Sequence, residues 1–220
     1  MENRKPQDAQ KTRRAVILSA VPLAAEMARY LRPGDYVIAC DAGYRNAARL
    51  GVEPDFIIGD FDSAPQPHAN GKTVVLPHVK DDTDTHFAAR WVVEQGFSSA
   101  LLLGCLGGAR IEHTFANIST GLFLAYSGVD TLLADERSEL RYLLPGRPLC
   151  LEQGPWAYLS VFPLSERLEG VDIEGVFYPL HDAVLTNTYP LGVSNEFTAS
   201  SARLRCRCGA GLVVLTRADQ

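Results

Sequence analysis

No uninterrupted apolar run in the 220-residue sequence approaches the roughly 18 residues that a membrane-spanning helix needs. The N-terminus also lacks the basic, apolar and cleavable regions of a secretory signal, so no membrane association is expected and the protein reads as soluble and cytoplasmic. Positive charge is short as well. Lys and Arg number 21 against 26 Asp and Glu, a formal net charge of -5, and such a field repels nucleic acid and anionic lipid, so no nucleic-acid partner is expected. The five cysteines (Cys40, Cys105, Cys150, Cys206, Cys208) are odd in number and include no Cys-x-x-Cys pair, which excludes the usual zinc ribbons and redox dithiols and predicts buried thiols in a reducing compartment. No two histidines have the helical spacing of metal ligands, and no internal repeat of the solenoid kind is present.

What is present is 46% hydrophobic residues, enough to bury a core in one large or two modest domains, arranged in two textures. Residues 1–13 are polar and without apolar period, and are expected to be a disordered leader. From Ala15 onward, short apolar runs alternate with amphipathic stretches: Ala15 to Leu18, Tyr36 to Ala39, Phe56 to Ile58, Thr73 to Leu76, Leu101 to Leu103 and Thr131 to Leu133. Runs of this kind read as strands buried on both faces, so residues 14–137 are expected to form an α/β domain, a doubly wound, mostly parallel sheet with helices on both faces. The clearest helices run from about Thr83 to Gln95, with Phe87, Ala88, Trp91 and Val92 on one stripe, and from about Glu112 to Tyr126. After about Asp135 the segments become short, alternating and punctuated by Gly and Pro, predicting a small all-β sandwich over residues 138–220. There, Ala202, Leu204, Cys206 and Cys208 alternate with Arg203, Arg205 and Arg207, and Gly209-Ala210-Gly211 predicts a hairpin into Leu212 to Leu215.

In an open parallel sheet, ligands bind beyond the carboxyl ends of the strands, and the residues there are acidic or glycine. The second run ends in Asp41-Ala42-Gly43, the third in Gly59-Asp60-Phe61-Asp62-Ser63 and the fifth in Gly104-Cys105-Leu106-Gly107-Gly108, while Asp81-Asp82-Thr83-Asp84 stands at the start of the Thr83 helix. Any one of these is an ordinary cap or turn. Carboxylates gathering from several loops raise one another's pKa unless a cation sits among them, and oxygen donors without a His or Cys cluster select a hard ion such as magnesium. Asp60, Asp62 and Asp84 are the expected metal ligands and catalytic carboxylates, with one of them accepting a proton. The glycine-rich turn from Gly104 to Arg110 has the layout of an anion-binding helix N-terminus, with Arg110 as a phosphate fork and His113 as either a cap or a phosphate donor. Gly71-Lys72-Thr73 ends like a P-loop, but Gln66 stands in place of its first glycine and a strand is expected to follow.

With these residues in place, the chain resembles the thiamine pyrophosphokinase family from about Ala15 to Thr216. Pro54-Asp55-Phe56-Ile57-Ile58-Gly59-Asp60-Phe61-Asp62-Ser63 is similar to the family's central acidic signature, Asp41-Ala42-Gly43 with Asn46 to its first acidic motif, and Lys80-Asp81-Asp82-Thr83-Asp84 to its third. Gly107-Gly108-Ala109-Arg110-Ile111-Glu112-His113, followed by Asn117, resembles its glycine-rich phosphate loop, with one residue inserted before Arg110 and Glu112 where the family commonly has Asp. The resemblance implies transfer of pyrophosphate from ATP to the thiamine hydroxyl, with Mg2+ at Asp60, Asp62 and Asp84. It also implies ATP contacts from Asp41, Asn46, Asp81, Thr83, Gly107, Gly108, Arg110, His113 and Asn117. Val193-Ser194-Asn195-Glu196-Phe197 looks like a family segment too, implying that Ser194 and Asn195 help bind thiamine and that the protein is a homodimer with active sites where subunits meet. A pyrophosphokinase for a pterin or another heterocyclic alcohol, and a nucleotide-binding module without turnover, remain as alternatives.

Overall fold

The computed structural model describes residues 13–59 and 82–218, and the backbone of 72–75. The chain divides into two compact units, Met1–Glu136 and Arg137–Gln220.

In the first unit the expected runs are strands: β1 (Arg14–Leu18), β2 (Tyr36–Cys40), β3 (Phe56–Gly59), β4 (Lys72–Val75), β5 (Ser99–Leu103) and β6 (Asp130–Ala134). They pair in the order β4-β3-β2-β1-β5-β6, every neighbour parallel. The chain steps outward from β1 to β4 and then returns to β5 on the other side of β1, so the order reverses between β1 and β5, where an open sheet leaves a crevice. After its first residue, each of β1, β2 and β5 is buried on both faces, which is why these strands are continuous apolar runs rather than alternating ones.

Helix α1 (Gly43–Leu50) buries Gly43, Asn46, Ala47 and Leu50 along one stripe and ends at Gly51, whose φ of 70° makes the left-handed cap. Helix α2 (Asp84–Glu94) starts where Thr83 accepts a hydrogen bond from the His86 N–H at 3.1 Å. Its Trp91 ring stacks on Tyr36 at 5.4 Å and meets Phe56 and Phe97. Helix α3 (Ile111–Tyr126) is the longest among the described residues. A 3-10 helix spans Ala25–Tyr30. No helix among the described residues is long and apolar enough to cross a membrane.

The second unit is all β: β7 (Ser138–Leu143), β8 (Leu149–Glu152), β9 (Tyr158–Pro163), β10 (Arg167–Glu174), β11 (Leu180–Thr186), β12 (Ser201–Arg205) and β13 (Gly211–Thr216). Antiparallel β7-β13-β9 and β11-β10-β12-β8 face each other across one core that includes Leu159, Val161, Val213 and Leu215 from the first sheet and Leu168, Ile173, Leu185 and Leu204 from the second. Trp156 lies in this core with the Arg217 guanidinium over its ring at 5.3 Å.

Two expectations for this unit are corrected. Gly209 does not turn a hairpin, because β12 and β13 lie in different sheets. At Gly209 (φ 90°) the backbone packs so tightly on Arg167 that a Cβ would collide with the Arg167 carbonyl, and the Ala210 carbonyl then accepts from the Leu164 N–H, so the chain crosses between sheets. The cysteines are not all buried either. Cys150 and Cys208 are exposed, the latter because the chain has left the β12 alternation and its N–H bonds the Glu169 carbonyl. Burial pushes the neighbouring Cys206 thiol up to about 11. Arg205 and Arg207 do form a solvated face, paired with Asp172 and Asp182.

Candidate active site

A cavity of about 500 Å³ opens at the carboxyl ends of β1, β2 and β5. Each wall is a consequence of local chain geometry. After β2, Asp41 takes φ 48°, an unusual value for a residue with a Cβ, while its N–H bonds the Ile58 carbonyl and extends the sheet by one residue. Its carboxylate lies against the end of β3, where a Cβ on Gly59 would stand 2.9 Å from Oδ1, so the glycine is what admits it.

Asp84 occupies the first turn of α2, 9% exposed, where the helix dipole favours a carboxylate. Two cross-links hold that turn to the sheet: the Ser19 and Thr85 hydroxyls meet at 2.9 Å, and the Cys40 thiol donates to the Asp84 carbonyl. Asp41, Thr83 and Asp84 therefore share one hollow. Asp60, Asp62 and Asp81 lie outside the described residues. Among the described residues, no group of three or more His, Cys, Asp or Glu side chains is placed to hold a metal.

The glycine-rich turn supplies the remaining wall. Gly107 and Gly108 have φ 71° and 80°, and Gly108 packs so closely that a Cβ would stand 3.0 Å from Val21 Cγ2. The turn is tied to α3 by Asn117 Nδ2 donating to the Cys105 carbonyl at 2.7 Å and by the Thr114 hydroxyl donating to Gly107. Arg110 stands at the N-cap and also borders the cavity, with its Nε donating to Glu112 Oε1 at 2.7 Å. That hydrogen bond, helped by backbone N–H, holds the exposed Glu112 carboxyl below the usual glutamate range. His113, half-buried, and Asn117 complete this side.

The remaining expected site residues sit differently. Asn46 is 1% exposed and lies behind the wall rather than in it, with its amide bonded to the loop after β1. Ser194 and Asn195 belong to the second unit. Ser194 has φ 57° and donates its N–H to Ser160 Oγ. Asn195 Oδ1 accepts from the Tyr178 and Glu196 N–H groups while Nδ2 donates to the Tyr178 carbonyl, and beside this latch Phe177 and Tyr178 are 65% and 66% exposed. Conversely, the loop Ser19-Ala20-Val21-Pro22 forms a large part of the cavity wall although nothing in its composition marks it. Its position just after the first strand of an open sheet is the signal that could have found it.

Residues 27–132 match the description "Thiamin pyrophosphokinase, catalytic domain", and residues 149–211 match "Thiamin pyrophosphokinase, vitamin B1 binding domain". The thiamine pyrophosphokinase of Bacillus subtilis (strain 168) is 30% identical over 173 residues, 74% of this chain and 78% of that protein. Thiamin pyrophosphokinase from Geobacillus thermodenitrificans has the same fold, with a TM-score of 0.83 at 24% identity over 95% of this chain and 99% of that one. The same holds for thiamin pyrophosphokinase from Candida albicans, with a TM-score of 0.75 at 14% identity over 96% and 91%.

Proposed function

The chain belongs to the thiamin pyrophosphokinase family, and from that premise we propose that the cavity of the first unit is where it moves a pyrophosphoryl group from ATP to the hydroxyl of thiamine, releasing AMP. The observation that carries this reading is that Asp41 and Asp84 share one partly enclosed hollow with a glycine-rich helix start.

The donor set suits a hard cation. Asp41 and Asp84 supply carboxylate oxygens to one hollow, and the Cys40 thiol bordering it is engaged as a donor to the Asp84 carbonyl. Asp84 and Asp41, together with Asp60 and Asp62 from the segment after β3, would hold Mg2+. When bound, the ion supplies charge that offsets the phosphate oxygens of ATP. The chain's own residues do the rest. Backbone N–H groups of Gly107 and Gly108, the α3 N-terminus and the Arg110 guanidinium bind and orient the polyphosphate, stabilising negative charge that spreads over phosphoryl oxygens as the thiamine hydroxyl attacks the β-phosphorus. His113 and Thr83 are assigned to the same polyphosphate, Asp81 to ATP, and Asn117 to holding the turn. An acidic side chain among Asp60, Asp62 and Asp84 accepts the alcohol proton.

Thiamine is assigned to the second unit near Ser194 and Asn195, in a homodimer whose active sites lie between subunits. Support comes from apolar surface: Ile111, Phe115 and Tyr126 are 63%, 66% and 62% exposed on one line of α3. A cytoplasmic location goes with ATP as substrate and with five free thiols.

The test is direct. Protein given ATP, magnesium and thiamine should form AMP and thiamine diphosphate in equal amounts. ATP binding without AMP release would reduce the chain to a binding module, and turnover with a pterin alcohol in place of thiamine would reassign the acceptor.

A further inference from the structure

The structure assigns Asn46 as a positioning residue that holds the Ser19–Leu23 loop in the shape the nucleotide cavity requires, without touching the nucleotide. Asparagine is a poor helix former because its side chain competes for backbone groups, yet Asn46 sits inside α1 and is almost wholly buried. Its side-chain amide bonds three backbone groups of a single loop. Nδ2 donates to the Ser19 carbonyl at 2.7 Å and the Val21 carbonyl at 2.8 Å, and Oδ1 accepts from the Leu23 N–H at 3.1 Å.

The surrounding backbone is shaped to allow this. At Gly43 a Cβ would collide with the Leu18 carbonyl, so the glycine lets the first turn of α1 abut the end of β1 and brings Asn46, three residues on, beneath the loop. At Gly104 (φ 65°) a Cβ would stand 2.8 Å from Asn46 Nδ2 and 2.7 Å from the Ser19 carbonyl. The far end of the loop has its own tie, from the Ala24 N–H to Glu136 Oε1 at 2.9 Å. Ser19 to Pro22 border the cavity, and Val21 is the residue against which Gly108 packs, so the Asn46 amide fixes the wall that the glycine turn rests on. A wall fixed in advance saves the ligand the entropy of ordering it, and the saving appears in nucleotide affinity.

The inference rests on the reading that this cavity takes ATP, and the experiment keeps the two apart. Wild type, Asn46→Ala and the near-isosteric Asn46→Asp are compared by binding of a fluorescent ATP analogue without thiamine, by steady-state kinetics, and by amide exchange of residues 19–24. Loss of the clamp should weaken ATP binding and raise the KM for ATP about tenfold. The KM for thiamine should stay within about twofold, and exchange should speed up in the loop but not in β1 or β5. Unchanged ATP affinity and loop exchange alongside a lowered melting temperature would make Asn46 an ordinary core residue and overturn the proposal. If both variants fail to fold, Glu136→Ala removes the tie at the other end of the loop and is read by the same criteria. A wild-type protein that releases no AMP would sink the proposed function, while exchange would still judge the clamp.

Discussion

Asp41 and Ser194 both hold a left-handed backbone with a side chain attached, at φ 48° and 57°, but the two regions around them are built differently. At Asp41 the turn delivers a carboxylate into the wall of a hollow, and the surrounding side chains (Ser19, Cys40, Thr85) fix the chain that carries Asp84. At Ser194 the turn delivers a backbone N–H to Ser160, and Asn195 next to it bonds three backbone groups of Tyr178 and Glu196. The first region presents functional groups. The second presents shape, an aromatic surface of Phe177 and Tyr178 meeting edge to face at 4.9 Å, held up by a polar latch. At these two positions the neighbouring hydrogen bonds show what the left-handed turn displays, a side chain at Asp41 and backbone at Ser194.

The largest expected effect sharpens this contrast. Asp84→Asn should lower kcat by about a thousandfold or more, measured by AMP release, with little change in melting temperature. Next come two matched glycine variants, each of which relieves a positive φ. Asp41→Gly should lose about a hundredfold in turnover while gaining or keeping stability, and Ser194→Gly should keep stability with a much smaller loss; equal losses would break the comparison. Asn195→Ala should act through stability, costing about 1–3 kcal/mol in urea unfolding because the Tyr178 and Glu196 N–H groups lose their acceptor, with ATP affinity unaltered.

The Arg110–Glu112 pair gives a smaller effect with a definite pH sign. Because Arg110 holds the folded Glu112 carboxyl below its ordinary value, the pair persists through the ordinary glutamate range and is lost only as pH falls further. Glu112→Gln frees Arg110 and should lower the KM for ATP about twofold, by the same factor at pH 6 and pH 8. A benefit confined to one of these would show another group at work.

The first unit's sheet was legible because strands buried on both faces leave unbroken apolar runs, as in Val16-Ile17-Leu18 and Leu101-Leu102-Leu103. The gathering of the acidic and glycine motifs was legible because they follow the carboxyl ends of parallel strands, and Asp41, Asp84, Gly107, Gly108 and Arg110 do border one cavity. The Gly209 crossover was not, since alternation along a strand states which face is inward without stating which sheet it joins. Nor was the role of Asn46, because a buried amide and a ligand-binding amide look alike until their partners are seen. Ala20-Val21-Pro22 is bland in sequence and acquires meaning only from its place above β1 and β5.

The two tryptophans of the chain fall one in each unit, Trp91 among the rings of Tyr36, Phe56 and Phe97, and Trp156 under the cation of Arg217. Nature has thereby installed separate optical probes. Replacing Trp91 with phenylalanine removes the tryptophan emission of the α/β half and replacing Trp156 removes that of the sandwich, so two single-substitution proteins, excited where tyrosine does not absorb, suffice to ask whether the halves melt together or in turn.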